Sequence, residues 1–265
     1  MERVVAAGRT RSSASLTVRA SVMSRSRRPD VVVNCAGFTG VDAAESECAT
    51  ALAVNGHGAR RLARACAAVG SRMVQVSTDY VFPGTERSEP YSEGEPTQAH
   101  SSYGHSKLAG ESAVAEELGP SAVIARTAWL YGHHGGGFVR TLIDRARDRR
   151  PVSAIADQHG QPTWTGDLAA RLIELGRRPG ISGVLHCTNG GQTTWYGLAR
   201  GIYERLGADT GLVSAISAAQ LDRPAPRPAY SVLGHRRWAE VGIEPIVDWR
   251  DRLRAAFPTL PAPTA

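Results

Sequence analysis

Residues 31–37 read Val-Val-Val-Asn-Cys-Ala-Gly, an apolar run that follows Arg28-Pro29-Asp30 and stops at a glycine. A strand with one solvated face alternates polar and apolar residues, whereas an unbroken run suits a parallel strand buried on both faces. The pattern predicts a strand over 31–35. Beyond it, Ala51, Leu52, Val54, Leu62, Ala65 and Cys66 recur at helical spacing, which predicts one helix from 43 to about 69 with Gly70 as its stop. Met73-Val74-Gln75-Val76 predicts a second strand running into Ser77-Thr78-Asp79-Tyr80. A long loop rich in Pro, Gly and Glu reaches about 102, as a substrate-facing connection would. A helix over 103–117 and a strand over 122–126 follow. Further helices are expected at 138–148, 166–177, 194–206 and 248–256, and short strands at 152–155 and 184–187. Strand and helix alternate, so the fold class is α/β: a right-handed, doubly wound parallel sheet.

The chain of 265 residues is 42% hydrophobic, enough for one large α/β domain or two that share a core. No run of roughly 18 apolar residues suggests a membrane span, and no secretory signal opens the chain, so a cytoplasmic protein is expected. Cys35, Cys48, Cys66 and Cys187 form no CxxC pair and are expected to be buried reduced thiols. The net charge of +6 could suggest nucleic acid. Residues 1–30, however, carry seven arginines against Glu2 and Asp30, a net +5, which leaves the body near neutral at +1. Without a basic groove interleaved with aromatic platforms, nucleic-acid binding is not expected. Lys107 is the only lysine among 31 basic residues, and in an arginine-rich chain it suggests a site that wants a compact ammonium.

Tyr103-Gly-His-Ser-Lys107 sets a phenol and an ammonium at i and i+4, one turn apart on one helix face. A neighbouring cation favours a phenolate, and a strand-end hydroxyl from Ser77 or Thr78 could complete a three-point clamp on a carbonyl oxygen. YxxxK is weak by itself; with STDY at 77–80 and NCAG at 34–37 it gains weight. The adjacent His133 and His134 invite a metal reading, but neighbouring positions cannot share a helix face and no third ligand is apparent.

These segments resemble the extended short-chain dehydrogenase/reductase superfamily, specifically its dTDP-4-dehydrorhamnose reductases. The resemblance runs from about 29 to 250 through PDVVVNCAGFTGVDAAESE, VNGHGARRLARA, VQVSTDYVFPGT, YGHSKLAGE at 103–111, RTAWLYG, DQHGQPTW and GGQTTW. RPAPRPAYSVL looks most like reductases that finish deoxysugars for glycosylated natural products. The resemblance implies a Rossmann-like NADPH-binding domain over 1–150 and a mainly sugar-nucleotide-binding part over 151–265, interleaved with it. It implies hydride delivery from NADPH, with NADH as the alternative, to C4 of a dTDP-4-keto-6-deoxyhexose. Tyr103 would be the catalytic acid, and Lys107 would lower its pKa and hold the nicotinamide ribose. Thr78 would hydrogen-bond the substrate oxygen, with Asp79 beside it. Gly37, Phe38, Thr39 and Val76 would line the cofactor, Trp129 would contact the sugar, and Arg227 is a plausible partner for the diphosphate. A homodimer is compatible with the resemblance.

The opening departs from that pattern. The family begins with a strand and a glycine-rich turn for the cofactor pyrophosphate. Here Gly8 is the only glycine before residue 30, and Val4-Val5-Ala6-Ala7-Gly8-Arg9 looks like the family's second strand with an arginine for the 2′-phosphate. The first βα unit reads as absent. Residues 11–28 are rich in Arg and Ser, as in a transit peptide or a wrongly translated start. Three outcomes are expected: the strand near 3–7 closes up against 31–35, the true start lies upstream of Met1, or the chain is a poorly folding relic. The rival reading is a non-catalytic sugar-nucleotide-binding or regulatory protein, for which the regulatory beta subunit of methionine adenosyltransferase, similar to these reductases, is a precedent.

Overall fold

The computed structural model describes residues 4–7, 28–85, 87–134 and 137–256. The expectations for Gly8, Arg9 and the basic stretch after them, for the Gly135-Gly136 turn and for the C-terminal end lie outside these residues. In chain order the first half contains β1 (Val4–Ala7), β2 (Val31–Asn34), α1 (Ala43–Ser46), α2 (Cys48–Leu52), α3 (Ala59–Val69), β3 (Arg72–Thr78), α4 (Ser102–Leu118), β4 (Ala122–Thr127), β5 (Leu130–Tyr131) and α5 (Phe138–Arg147). The second half adds β6 (Val152–Ile155), β7 (His159–Gly160), β8 (Thr163–Trp164), α6 (Thr165–Arg177), β9 (Gly183–His186), β10 (Thr193–Thr194), α7 (Trp195–Arg205), β11 (Val213–Ile216), α8 (Arg236–Glu240) and α9 (Trp249–Ala256).

β1, β2, β3, β4 and β9 form a parallel sheet in that order. The pleat divides the valine run of β2. Val32 packs with Leu62, Cys66, Met73 and Val114 in the layer of α3 and α4. Val31 and Val33 pack with Leu168, Leu172 and Leu175 of α6 on the other face. Both faces are covered, so the run needs no polar alternation, and each such side chain contributes roughly 1.5–3 kcal/mol on leaving water. This is the Rossmann-like, doubly wound architecture expected. β1 pairs with β2 through all four residues, from Val4↔Val31 to Ala7↔Asn34. The opening strand thus closes directly against the second, and no gap of unpaired backbone separates them.

Two expectations need correction. The helix expected over 43–69 is interrupted: Glu47 leaves helical geometry at φ −116°, ψ 36° between α1 and α2, and residues 53–58 form a wider π turn before α3. That widening carries Asn55 to the site described below. Gly70, at φ 73°, ends α3 in the left-handed conformation as expected. The thiols also divide, with Cys66 and Cys187 buried but Cys35 and Cys48 exposed, because Cys35 lies where β2 gives way to loop and Cys48 opens the short helix α2.

A separate core of Leu142, Ile143, Leu198, Ile202, Tyr203 and Trp249 joins α5, α7 and α9 beside the parallel β6–β11 pair. α6 packs on the main sheet and β9 joins it. The long loop after β3 is fastened by Phe82, stacked on Tyr91 at 4.3 Å, against Tyr230, Val232 and Leu233. Two loops therefore meet above the C-terminal strand ends, where open α/β sheets bind ligands. Among the described residues no helix is long and apolar enough to cross a membrane.

Candidate active site

The Ser101 hydroxyl accepts from the Gly104 amide at 3.1 Å and caps α4. At Gly104 a Cβ would stand 2.4 Å from the Tyr80 carbonyl oxygen, so glycine alone lets the helix lie against the turn Asp79–Val81. At Gly110 a Cβ would stand 2.3 Å from the Asn55 carbonyl oxygen, and the same logic docks the π turn. Along the same helix Tyr103, Lys107 and Glu111 follow one another at i, i+4 and i+8, toward the ends of β3 and β4.

Burial pushes the Tyr103 phenol up to about 12; the Thr78 side chain pulls it down and the Asp79 charge pushes it up. Tyr103 is therefore a protonated phenol near neutrality, able to give a proton rather than take one. The expected lowering by Lys107 is not among these causes, because the ammonium is turned toward the strand and donates to the Val76 carbonyl at 2.6 Å. Thr78 donates to Asp79 Oδ1 at 3.0 Å and accepts from the Tyr80 amide at 3.2 Å. Asp79 is 2% exposed, and burial raises its carboxyl to about 6.

Lys107 is 8% exposed, and burial lowers its ammonium to about 8 from an ordinary 10.5, against the raising influence of Glu111 and Cys35. Between those two pH values the unfolded chain holds a proton that the folded chain has lost, so this contribution to stability rises with pH across the window. Urea unfolding of the wild type and Lys107→Met at about pH 7.5 and about pH 9.5 reads it directly. The wild type is expected to gain on the variant at the higher pH, and an unchanged difference would refute the burial argument.

Gly37, Phe38 and Thr39 leave the end of β2 beside this face. The Phe38 amide donates to Asn55 Oδ1 at 2.8 Å, and Asn55 Nδ2 donates to the Phe38 carbonyl at 3.1 Å and to Ser106 Oγ at 2.8 Å. Asn34 closes its strand through Oδ1, which accepts from the Ala36 amide at 3.1 Å. Opposite, Tyr80 meets Tyr103 edge-on at 5.6 Å and lines a cavity of about 190 Å³ with Trp129, Trp195, Arg223 and Arg227. Trp129, at φ 43°, stacks on Trp195 at 3.5 Å and 9°; Gly160 makes the room, since its Cβ would strike the Trp129 ring at 2.5 Å. A left-handed tryptophan is a strained backbone held by its surroundings. The Arg227 fork does not face solvent but grips Asp42, with Nη1 to Oδ1 at 2.5 Å and Nη2 to Oδ2 at 2.6 Å. A larger cavity of about 560 Å³, between α7 and α9, contains none of these groups.

The family described as RmlD substrate binding domain matches residues 2–261. The chain belongs to that family. Within the RmlD family, it is 51% identical over 234 residues to a probable dTDP-4,6-dihydroxy-2-methyloxan-3-one 4-ketoreductase of Streptomyces antibioticus, covering 88% of this chain and 79% of that protein. It is also 51% identical over 237 residues to a dTDP-4-dehydrorhamnose reductase of Streptomyces griseus, covering 88% and 78%. A crystal structure of dTDP-4-dehydrorhamnose reductase from Bacillus anthracis in complex with NADP superposes with TM-score 0.85 at 35% identity, covering 90% of this chain and 83% of that one.

The structure also gathers residues that sequence reasoning did not single out. Asn55 lies inside the quoted VNGHGARRLARA, but nothing in its spacing shows that a π turn carries it to the site. Tyr80 follows directly after the quoted Thr78 and Asp79, and Glu111 continues the i+4 series, so both could have been found. Trp195 and Arg223 are brought to Trp129 and Arg227 only by tertiary folding.

Proposed function

We propose that the chain reduces the C4 keto group of a dTDP-4-keto-6-deoxyhexose with NADPH in deoxysugar or dTDP-rhamnose biosynthesis. One observation carries the reading: a half-buried phenol held in its protonated form sits beside Thr78, one helical turn from a buried lysine. Lys107 has three N–H donors and, among the described residues, one hydrogen-bond partner, the Val76 carbonyl. The two remaining donors fit the hydroxyls of a nicotinamide ribose, and the tied Phe38 backbone offers a fixed wall beside them. When bound, NADPH supplies the hydride. Thr78 and Tyr103 hold the carbonyl oxygen, and Tyr103 passes its proton to that oxygen as C4 is reduced, giving a secondary alcohol. Asp79 accepts the single Thr78 hydroxyl proton in a hydrogen bond until the substrate oxygen arrives to accept it. Trp129 packs on the sugar ring, and Arg227 meets the diphosphate once it leaves Asp42. Val76, Gly37, Phe38 and Thr39 form the cofactor side, largely from residues 1–150. Residues 151–265 mainly form the sugar-nucleotide side, with α6 and β9 returning to the sheet. A cytoplasmic location and a homodimer belong to the same reading.

Because Lys107 is the only lysine, amine-directed labelling reads this site alone apart from the N-terminus. Saturating NADPH is expected to protect Lys107, and a dTDP-4-keto-6-deoxyhexose added with NADPH is expected to be consumed one for one with it. Protection without turnover would favour a binding protein of the same fold; full labelling in the presence of NADPH would remove the cofactor from this site.

A further inference from the structure

Arg227 and Asp42 are 185 positions apart and join two loops across the site. Asp42 ends the segment that carries Phe38 and Thr39 and directly precedes α1. It also accepts from the Ala225 amide at 3.2 Å, so the proline-punctuated loop 224–228 grips it through backbone and side chain together. The Arg227 side chain is 14% exposed and both its terminal nitrogens are on this carboxylate, while the Asp42 side chain is 44% exposed. The paired oxygens of Asp42 take the planar fork in the same bidentate way as two oxygens of a diphosphate would. A second cation, Arg223, stands near enough for its charge to act on both Asp42 and Tyr80.

We infer that Asp42 is a positioning residue that holds the Arg227 fork in shape before substrate arrives and yields it to the substrate diphosphate. The inference rests on the proposed role of Arg227 in the sugar-nucleotide site. Two physical consequences follow. The carboxylate competes with the diphosphate for the same donors, so part of the binding energy is used to break the pair. Breaking it also frees the cofactor-side loop from the substrate-side loop, and the two ligands become coupled through Asp42 with reciprocal effects on each other's affinity.

Calorimetric titration with dTDP of the full chain tests this in the wild type, Asp42→Asn, Arg227→Ala and the double variant. Asn keeps the shape of Asp42 and removes its charge at a half-exposed position, so folding is not at stake. Asp42→Asn is expected to bind dTDP roughly five- to tenfold more tightly, and Arg227→Ala more weakly. In the Arg227→Ala background the Asn substitution is expected to change affinity by less than about twofold. Saturating dTDP is expected to shift NADPH affinity in the wild type, with that shift lost in Asp42→Asn. Unchanged or weaker dTDP binding by Asp42→Asn, alongside weakened Arg227→Ala, overturns the competition and leaves the reductase reading standing. Equal tightening with and without Arg227 reduces Asp42 to bulk charge and overturns it as well. An NADPH shift retained in the variant overturns the coupling. If wild type and variants all fail to bind dTDP, the reductase reading falls first and this inference with it.

Discussion

Replacing Tyr103 by phenylalanine is expected to lower kcat by about 10²–10⁴-fold while leaving dTDP binding unchanged. The substitution removes one hydroxyl, and with it the hydrogen bond to Thr78, but keeps the ring, so the edge-on contact with Tyr80 at 5.6 Å persists. What disappears is the proton for the C4 oxygen. Since the phenol is held near 12, the wild type does not lose this proton donor to ionisation around neutral pH. Steady-state turnover measured with a dTDP-4-keto-6-deoxyhexose, beside a dTDP titration of the same preparation, separates chemistry from binding. Turnover like that of the wild type would take Tyr103 out of the mechanism.

The second large effect is on stability. Arg126 and Glu111 form an ion pair with side chains 5% and 6% exposed, at 2.7 Å between Nη2 and Oε2. Ser77 Oγ adds a donor to Glu111 Oε1 at 2.5 Å, and the guanidinium lies 5.0 Å from the Phe82 ring centroid. Glu111→Ala leaves a guanidinium buried without its counter-charge, at a cost of about 3–5 kcal/mol. That is a large share of the roughly 5–15 kcal/mol that holds a domain together. Replacing both partners by apolar residues, Glu111→Leu with Arg126→Met, removes the uncompensated charge and is expected to recover most of the loss. Urea midpoints compared across wild type, single and paired variants decide it. A single variant within about 1 kcal/mol of wild type would mean that water reaches the pair.

The legible parts of the fold were those whose signal lies in neighbouring residues. The valine run of β2 announces two covered faces, and the Tyr103–Lys107 spacing places two groups on one face before any coordinates exist. The strand expected at 152–155 is Val152–Ile155, because its run is bounded by turn residues on both sides. The misreadings share a cause. A helix broken at Glu47 and widened at 53–58 keeps helical apolar spacing throughout, so periodicity joins what the backbone divides. Asn55 owes its place to that widening. Arg227 could be read as an arginine suited to phosphate, but not as one already gripping a carboxylate 185 positions away. Spacing likewise suggested that Lys107 tunes Tyr103, whereas the ammonium points at Val76 and burial governs the phenol.

The order of the main sheet also sets a timetable for a chain leaving the ribosome. β4 is buried along its whole length, and β9 covers it through residues that come much later, with Val123 opposite Gly183 and Arg126 opposite His186. At synthesis rates of about 5–20 residues per second, the stretch from Thr127 to Gly183 takes roughly 3–11 s to appear. During that interval β1 to β4 can pair, but the far edge of β4 stays an uncovered apolar template for other chains. Solubility during expression is then governed by how long that edge waits, and slower synthesis between α5 and α6 lengthens its exposure.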